Sequence, residues 1–177
     1  MRLSLVSALL VLSAAVSTGC GDGGKGRPFG TMSMGSPAFQ RNSVLPERFA
    51  CEGDNVSPPL AWTGAPGHAG SMAIVLTDLD SPNAPFFHWV LLNLGVAGES
   101  IEAGEVPTGA VPAEASSGSV GYVGPCPPEG ETHRYEFTVY ALSRKLDVAP
   151  GVPAVEAAAQ IRATAIDEAV LQVTYAR

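Results

Sequence analysis

Runs of apolar residues separated by turn-rich stretches run along most of the chain and predict β-strands. SMAIVLTD at residues 71–78 and HWVLLN at residues 88–93 are near-continuous apolar runs, as expected of strands that are covered on both faces. HRYEFTVYAL at residues 133–142 alternates instead, and one of its faces carries the larger apolar side chains: Tyr135, Phe137, Val139 and Ala141. Gly and Pro are frequent between these runs, and no internal repeat is visible.

The segment PAVEAAAQIRATAIDEAV, residues 153–170, favours a helix because it opens with Pro and is rich in Ala. One side of that helix is expected to carry four apolar residues: Val155, Ala158, Ile161 and Ala165. The end of the chain, AVLQVTYAR, alternates again and predicts a closing strand. We therefore expect an all-β protein, an antiparallel β-sandwich with one or two short helices near the C-terminus. An α/β fold would need several crossover helices, which the pattern does not contain.

The first 19 residues have the layout of a secretory signal peptide: Arg2, an apolar run over residues 5–16, and small residues before Cys20. This layout resembles a bacterial lipoprotein processing site, although Ser17 stands where Leu is usual. We expect residues 1–19 to be removed and Cys20 to be lipidated; the alternative is cleavage with an unlipidated Cys20. The Gly-rich stretch up to residue 30 predicts a flexible tether. Residues 31–177 then form one domain in the cell envelope, anchored to a membrane and facing the periplasm or the cell surface.

Composition supports a globular domain and argues against one class of partner. Hydrophobic residues make up 46% and charged residues 15% of the sequence. Lys and Arg number 10 against 17 Asp and Glu, so the net charge of -7 repels polyanions, and no basic cluster is present. Nucleic acid is therefore not an expected partner.

The three cysteines allow one pairing if Cys20 is lipidated. Cys51 and Cys126 then remain as an even pair, which in an exported protein is a candidate disulfide. Two buried thiols are the alternative.

Polar residues beside the predicted strands offer groups that could hold an anion. Asp78 and Asp80 precede His88, and residues 124–135 carry His133 and Tyr135. Imidazole and phenol groups can donate hydrogen bonds to a phosphate oxygen, and a neighbouring carboxylate, such as Asp78 or Asp80 beside His88, raises the pKa of an imidazole. The competing interpretation is an ordinary turn with a strand-end His88. His68 is expected in a surface loop, and Trp62 and Trp89 in the core or a pocket wall.

The order of several short motifs resembles the phosphatidylethanolamine-binding protein family, in its bacterial, Raf kinase inhibitor-like branch. The motifs are SPAF, CEGDNVSPPLAW, DLDSP, HWVLLN, GPCPP, HRYEFTVYAL and TYAR, which together span nearly the whole domain. The resemblance implies a β-sandwich with a small anion pocket at one end. Carried over residue by residue, the pocket residues are Asp78, Asp80, His88, Gly124, Pro125, Pro127, Pro128, His133 and Tyr135. Leu79 and Ser81 depart from the usual loop, and a cis X-Pro bond near Pro82 or at Pro127–Pro128 is compatible with the sequence.

The leading functional hypothesis is non-enzymatic binding of a small anionic or phosphate-bearing ligand, such as a phospholipid head group, without a cofactor or metal. The resemblance also implies a modulator or inhibitor of a protein partner, a kinase or a protease. A hydrolase that uses the Asp and His cluster is a further alternative, although neither HExxH nor GxSxG occurs, and a docking scaffold is another. The leading hypothesis predicts that binding weakens above the pKa values of His88 and His133. It also predicts that His133→Ala leaves thermal stability nearly intact.

Overall fold

The computed structural model describes residues 30–177, and in this part of the chain eight strands and one α-helix form two sheets. The predicted signal peptide, Cys20 and the tether up to residue 29 lie outside the described residues. The strands are β1 Ser33–Gly35, β2 Leu60–Thr63, β3 Ser71–Asp78, β4 Phe86–Leu94, β5 Ser100–Ile101, β6 Val111–Pro112, β7 Thr132–Leu142 and β8 Ala165–Ala176. The helix α1 is Ala154–Thr164, and a 3-10 turn covers Glu47–Phe49.

All strand pairs within the two sheets are antiparallel. A three-stranded sheet has the order β1-β2-β5, and a five-stranded sheet has the order β6-β4-β3-β7-β8. The fold class expected from the sequence, an antiparallel β-sandwich with a short helix near the C-terminus, is confirmed. No helix in residues 30–177 is both long and apolar enough to cross a membrane.

The five-stranded sheet is covered on both faces because its central strands are apolar at consecutive positions. Ile74 and Leu76 of β3 belong to a buried cluster shared with Met34 and Trp62 of the small sheet. Val75 of β3 points the other way, into a second buried cluster formed with helix α1: Ala154, Ala157, Ala158 and Ile161. Burying each large apolar side chain contributes roughly 1.5–3 kcal/mol to folding, so the two layers fix β3 and β4 firmly at the centre.

Helix α1 corrects two details of the sequence prediction. Val155, which was expected on the buried side, is 61% exposed, whereas Ala157 is fully buried. The helix also ends at Thr164, and β8 begins at once with Ala165. The segment AIDEAV that the apolar pattern favoured as helix is therefore strand, because β8 pairs along its length with β7 and tertiary pairing overrides helix propensity.

Polar side chains cluster at one end of the five-stranded sheet, which is the central sheet of the fold. Strand β3 ends at Asp78, which pairs with Phe86 near the start of β4 and with Tyr135 near the start of β7. Antiparallel pairing brings the end of β3 beside the beginnings of both neighbours. The residues adjacent to these ends, among them His88 and His133, therefore lie close together although they are far apart in sequence.

Candidate ligand pocket

A pocket of about 240 Å³ lies at this end of the central sheet. Five of the residues predicted from the sequence line it: Asp78, His88, Gly124, Pro128 and His133. Ser81, Phe86, Ser117, Val123 and Cys126 also line it and were not predicted. Ser117 lies in a turn-rich segment with no motif, so the sequence carried no signal for it, whereas Ser81 stands inside the DLDSP motif.

His88 faces the pocket because of a β-bulge. In β4 the pairing with β3 passes from Phe87 to Trp89, so His88 is an extra residue in the ladder. A bulge of this kind places two consecutive side chains on the same face and is common beside functional sites. Trp89 belongs to the cluster between the sheets, and His88 turns towards the same side, into the pocket.

The hydrogen bonds of His88 make it an acceptor towards the pocket. Its Nδ1 lies 3.0 Å from the carbonyl oxygen of Val123, which can only accept, so Nδ1 carries the proton. Burial lowers the pKa of His88 below 6.5, which favours the neutral ring with a lone pair on Nε2. The Asp78 carboxylate does raise the pKa of His88, as expected, but burial lowers it by more, and the net shift is downward. Asp78 Oδ2 is 4.0 Å from Nε2, and its attraction is smaller than the desolvation.

Asp78 organises the pocket floor with both carboxylate oxygens. Oδ1 accepts hydrogen bonds from the backbone N–H groups of Asp80 (2.8 Å) and Ser81 (3.0 Å), which closes a turn at the end of β3. Oδ2 accepts from Nδ1 of His133 at 2.8 Å. The buried carboxylate thus holds both the loop and one imidazole in place.

His133 is the cationic group of the pocket. The hydrogen bond to Asp78 raises the pKa of His133 above 6.5, against the opposing effect of burial, and a contact with Glu131 raises it further. Glu131 Oε2 lies 3.2 Å from Nε2 of His133. Because both neighbours are carboxylates, both ring nitrogens donate, as expected of an imidazolium.

Tyr135 lies behind the two histidines and does not line the pocket. Its ring meets His88 edge-on at 5.4 Å and stacks on His133 at 6.3 Å between ring centroids. Its hydroxyl is buried and has no hydrogen-bond partner within residues 30–177. Burial raises the pKa of Tyr135, and the nearby Asp78 carboxylate adds to the shift, so the hydroxyl keeps its proton as a donor.

Asp80 is the predicted residue that the structure directs away from the pocket. Its carboxylate accepts from the backbone N–H of Arg134 at 2.7 Å and from the guanidinium at 2.6 and 3.0 Å. These contacts with Arg134 lower the pKa of Asp80 to about 2. Asp80 therefore fastens the loop to β7. Of the two places at which the sequence allowed a cis X-Pro bond, near Pro82 and at Pro127–Pro128, the structure has it in the loop that contains Pro82, at Ala84–Pro85.

The GPCPP turn forms one wall of the pocket and is held by the 49–55 segment. Gly124 N–H donates to Asn55 Oδ1 at 2.7 Å, and Tyr122 donates to the carbonyl of Phe49 at 2.6 Å. A Cβ at Gly124 would lie 2.7 Å from the carbonyl oxygen of Phe49, so only Gly fits this close approach.

Prolines and a disulfide complete that wall. Pro125 and Pro127 are buried under it, whereas Pro128 is exposed at its rim. Cys51 and Cys126 are bonded as a disulfide, with their Cα atoms 5.5 Å apart.

The two pocket histidines should titrate in opposite directions. In an NMR pH titration we expect His133 to show a pKa above 6.5 and His88 a pKa below 6.5. By linkage, His133 contributes stability that is present below its unfolded pKa and lost as the pH rises through its folded pKa. Asp78→Asn should lower the pKa of His133 because it removes the largest cause of the shift. Equal pKa values for the two rings would contradict the assigned hydrogen bonds.

The fold and the pocket together define a β-sandwich with a polar pocket at one end of its central sheet. The family model described as phosphatidylethanolamine-binding protein matches residues 35–176. The chain belongs to the phosphatidylethanolamine-binding protein family, as the sequence motifs indicated.

Relatives in bacteria and archaea agree with this assignment. A UPF0098 protein of Methanothermobacter thermautotrophicus is 42% identical over 125 residues, which cover 68% of this chain and 82% of the relative. A Mycobacterium tuberculosis protein named "Putative lipoprotein LppC" is 37% identical over 145 residues, covering 81% of this chain and 72% of the relative. The crystal structure of Escherichia coli YbcL, described as a new member of the mammalian PEBP family, aligns with a TM-score of 0.79 at 28% identity and covers 83% of this chain and 99% of YbcL.

Proposed function

We propose that this protein binds a small phosphate-bearing anion in the pocket at the end of the central sheet, without transforming it. The observation that carries the proposal is the placement of the His133 ring, which lines the pocket and is fixed by Asp78 at 2.8 Å, an arrangement that favours its protonated form. A charged donor held in one orientation in a concave site is the chemistry that phosphate oxygens require.

Further donors around His133 support an oxygen-rich ligand. The hydroxyl groups of Ser81 and Ser117 line the pocket. The buried Tyr135 hydroxyl does not line the pocket and is therefore not counted among these donors.

The size and charge of the pocket restrict the kinds of ligand that it can bind. A volume of about 240 Å³ is below the roughly 300–1,000 Å³ of drug-sized sites, so a phosphate with a short substituent fits better than a large molecule. His88 offers a lone pair on Nε2 and suits a ligand atom that carries a proton. The two sources of such a group are free phosphate compounds and phospholipid head groups.

The hydrogen bonds that the acidic and basic side chains already make support binding rather than catalysis. Nδ1 of His88 is bonded to Val123, and Nδ1 of His133 is bonded to Asp78. Asp78 itself accepts three hydrogen bonds within the loop and β7. A general base needs a free site directed at a reacting proton, and Asp78 and His133 are held by each other instead; Nε2 of His88 stays free, so the support for binding comes from Asp78 and His133.

We further propose that the domain is exported and held near a membrane through Cys20. The signal-like residues 1–19 and the small residues before Cys20 support this, as does a relative named as a lipoprotein. Metabolic labelling with a fatty-acid analogue in a bacterial host tests it. The wild-type protein should carry the label, and Cys20→Ala should lose it; equal labelling of both would refute the anchor.

The binding proposal is tested by NMR titration of the domain with inorganic phosphate and, in a parallel arm, with glycerophosphoethanolamine. We expect amide and side-chain shifts to change around Asp78, His88 and His133 in at least one arm. A stronger response to glycerophosphoethanolamine would identify a lipid head group as the source, and a stronger response to phosphate would identify a free phosphate compound. No shift in either arm, or shifts confined to another surface, would refute the proposal.

A further inference from the structure

Glu131 covers the one ring nitrogen of His133 that a ligand could use. Nδ1 of His133 is taken by the buried carboxylate of Asp78, which leaves Nε2 as the donor towards an incoming anion. Glu131 Oε2 already accepts from that nitrogen at 3.2 Å. A carboxylate of this chain and an anionic ligand would therefore compete for the same N–H group.

We propose that Glu131 is a built-in competitor for the anion site, which leaves Nε2 of His133 when a ligand binds and sets a preference for singly over doubly charged anions. This inference rests on the proposed function, because it concerns the same pocket. It assigns a role to a residue outside the set that the sequence motifs predicted.

The side chain of Glu131 is free to leave, whereas its backbone is not. The side chain is 58% exposed, and its hydrogen bond in the described residues is the one to His133. The backbone is fixed on both sides, since its N–H donates to Pro128 and its carbonyl accepts from Arg177. A rotation of the side chain into solvent therefore opens Nε2 without moving the strand.

The charges around His133 explain the expected selectivity. Asp78 from β3 and Glu131 from the preceding loop both contact the ring, while His88 from β4 adds a neutral imidazole. Asp80 also lies close enough to influence the ring, but Arg134 neutralises it. Two carboxylates against one imidazolium leave a negative surplus, which repels a dianion about twice as strongly as a monoanion.

The test uses two anions whose charge does not change with pH: dimethyl phosphate, which is singly charged, and sulfate, which is doubly charged. Affinities are measured by NMR titration near pH 5.5, where His133 is protonated. Glu131→Gln should strengthen binding of dimethyl phosphate about threefold and of sulfate about tenfold, because an exposed charge contributes up to about fivefold per unit of ligand charge. Glu131→Ala, which removes the acceptor entirely, should do at least as much.

Glu129→Gln is the matched control. Glu129 is exposed in the same loop and has no side-chain hydrogen bond or ion pair within residues 30–177, so it changes the net charge equally without touching His133. It should leave both affinities nearly unchanged. Equal gains in Glu129→Gln and Glu131→Gln would show a general charge effect and overturn the inference.

The pKa of His133 in the ligand-free protein separates this inference from the binding proposal. Glu131→Gln should lower that pKa, because Glu131 is one of its causes. A lower pKa with unchanged affinities would show that the contact exists but does not compete, which overturns the inference alone. Absence of anion binding in wild type and in both Glu131 variants would overturn the proposed function and this inference with it.

Discussion

Replacing His133 with Asn should reduce the affinity of the pocket for dimethyl phosphate at least about tenfold near pH 6, since a hydrogen bond to a charged group contributes roughly 1.5–3 kcal/mol. Asn can still donate to Asp78 in place of Nδ1, but it carries no charge and offers nothing in place of Nε2. NMR or calorimetric titration measures the change.

His68→Asn provides the control for this variant. His68 is exposed in a loop far from the pocket lining, and its replacement should leave the affinity unchanged. Unchanged affinity in His133→Asn would remove His133 from the binding site.

The structure also revises the expected stability of a His133 variant. The sequence suggested that His133→Ala leaves stability nearly intact, as for an exposed ligand residue. His133 is instead buried, with 5% of its surface exposed, and is bonded to the buried Asp78 carboxylate. His133→Ala should therefore cost about 1–3 kcal/mol in the free energy of unfolding, and His133→Asn should cost less because it keeps that hydrogen bond. For this reason His133→Asn is the better probe of binding.

Removing the disulfide should produce the largest loss of stability. Cys51 and Cys126 are separated by 75 positions, and closing a loop of that length stabilises the folded state by about 4 kcal/mol in the chain-entropy estimate. The double variant Cys51→Ala/Cys126→Ala should lose about this amount in urea unfolding at neutral pH. A loss below about 1 kcal/mol would show that the unfolded chain is not constrained as the estimate assumes.

The same variant should loosen one wall of the pocket before the rest of the domain. The disulfide joins the 49–55 segment to the GPCPP turn, beside the hydrogen bond from Gly124 to Asn55. Hydrogen exchange at Gly124 should therefore accelerate more than exchange in β3, which is buried on both faces. Uniform acceleration across the domain would contradict this local role.

The apolar pattern was sufficient to predict the central strands. Because these strands are buried on both faces, their sequences are near-continuous apolar runs, such as residues 71–78. It was insufficient at α1, where Ala-rich residues continue past Thr164 without a stop signal and pairing with β7 decides the boundary. A periodicity shared by a helix and a following strand does not show where one ends and the other begins. Val155 was misplaced for a different reason: the buried face consists of Ala154, Ala157, Ala158 and Ile161, and in an Ala-rich helix the apolar pattern does not single out that face.

For the pocket, too, the sequence predicted which residues take part, whereas the tertiary structure determines how they are oriented and charged. The motifs named His88 and His133, but the bulge that turns His88 into the pocket has no signature in HWVLLN. The opposite pKa shifts of the two rings arise from desolvation at His88 and from neighbouring carboxylates at His133, and both depend on tertiary contacts. Asp80 looked equivalent to Asp78 in sequence, yet Arg134 holds it outside.

Two residues, Glu131 and Ser117, were not predicted from the sequence because tertiary contacts bring them to the site. Glu131 stands two positions before His133, and because alternate residues of an extended chain point to the same side, this spacing could have suggested a contact with the ring. Ser117 reaches the pocket through a turn in which Phe87 N–H donates to the neighbouring Ser116 hydroxyl at 2.9 Å. No local feature of the sequence indicates that Ser117 lies beside the pocket.

The most direct test of the central claim is the affinity of the wild-type domain for dimethyl phosphate from about pH 5 to pH 9, since the charge of this ligand stays constant over that range. We expect constant affinity at low pH and a fall as the pH rises through the pKa of His133, above 6.5, with no such fall in His133→Asn. Affinity that stays flat over the whole range, or that rises with pH, would contradict a protonated His133 as the group that holds the anion.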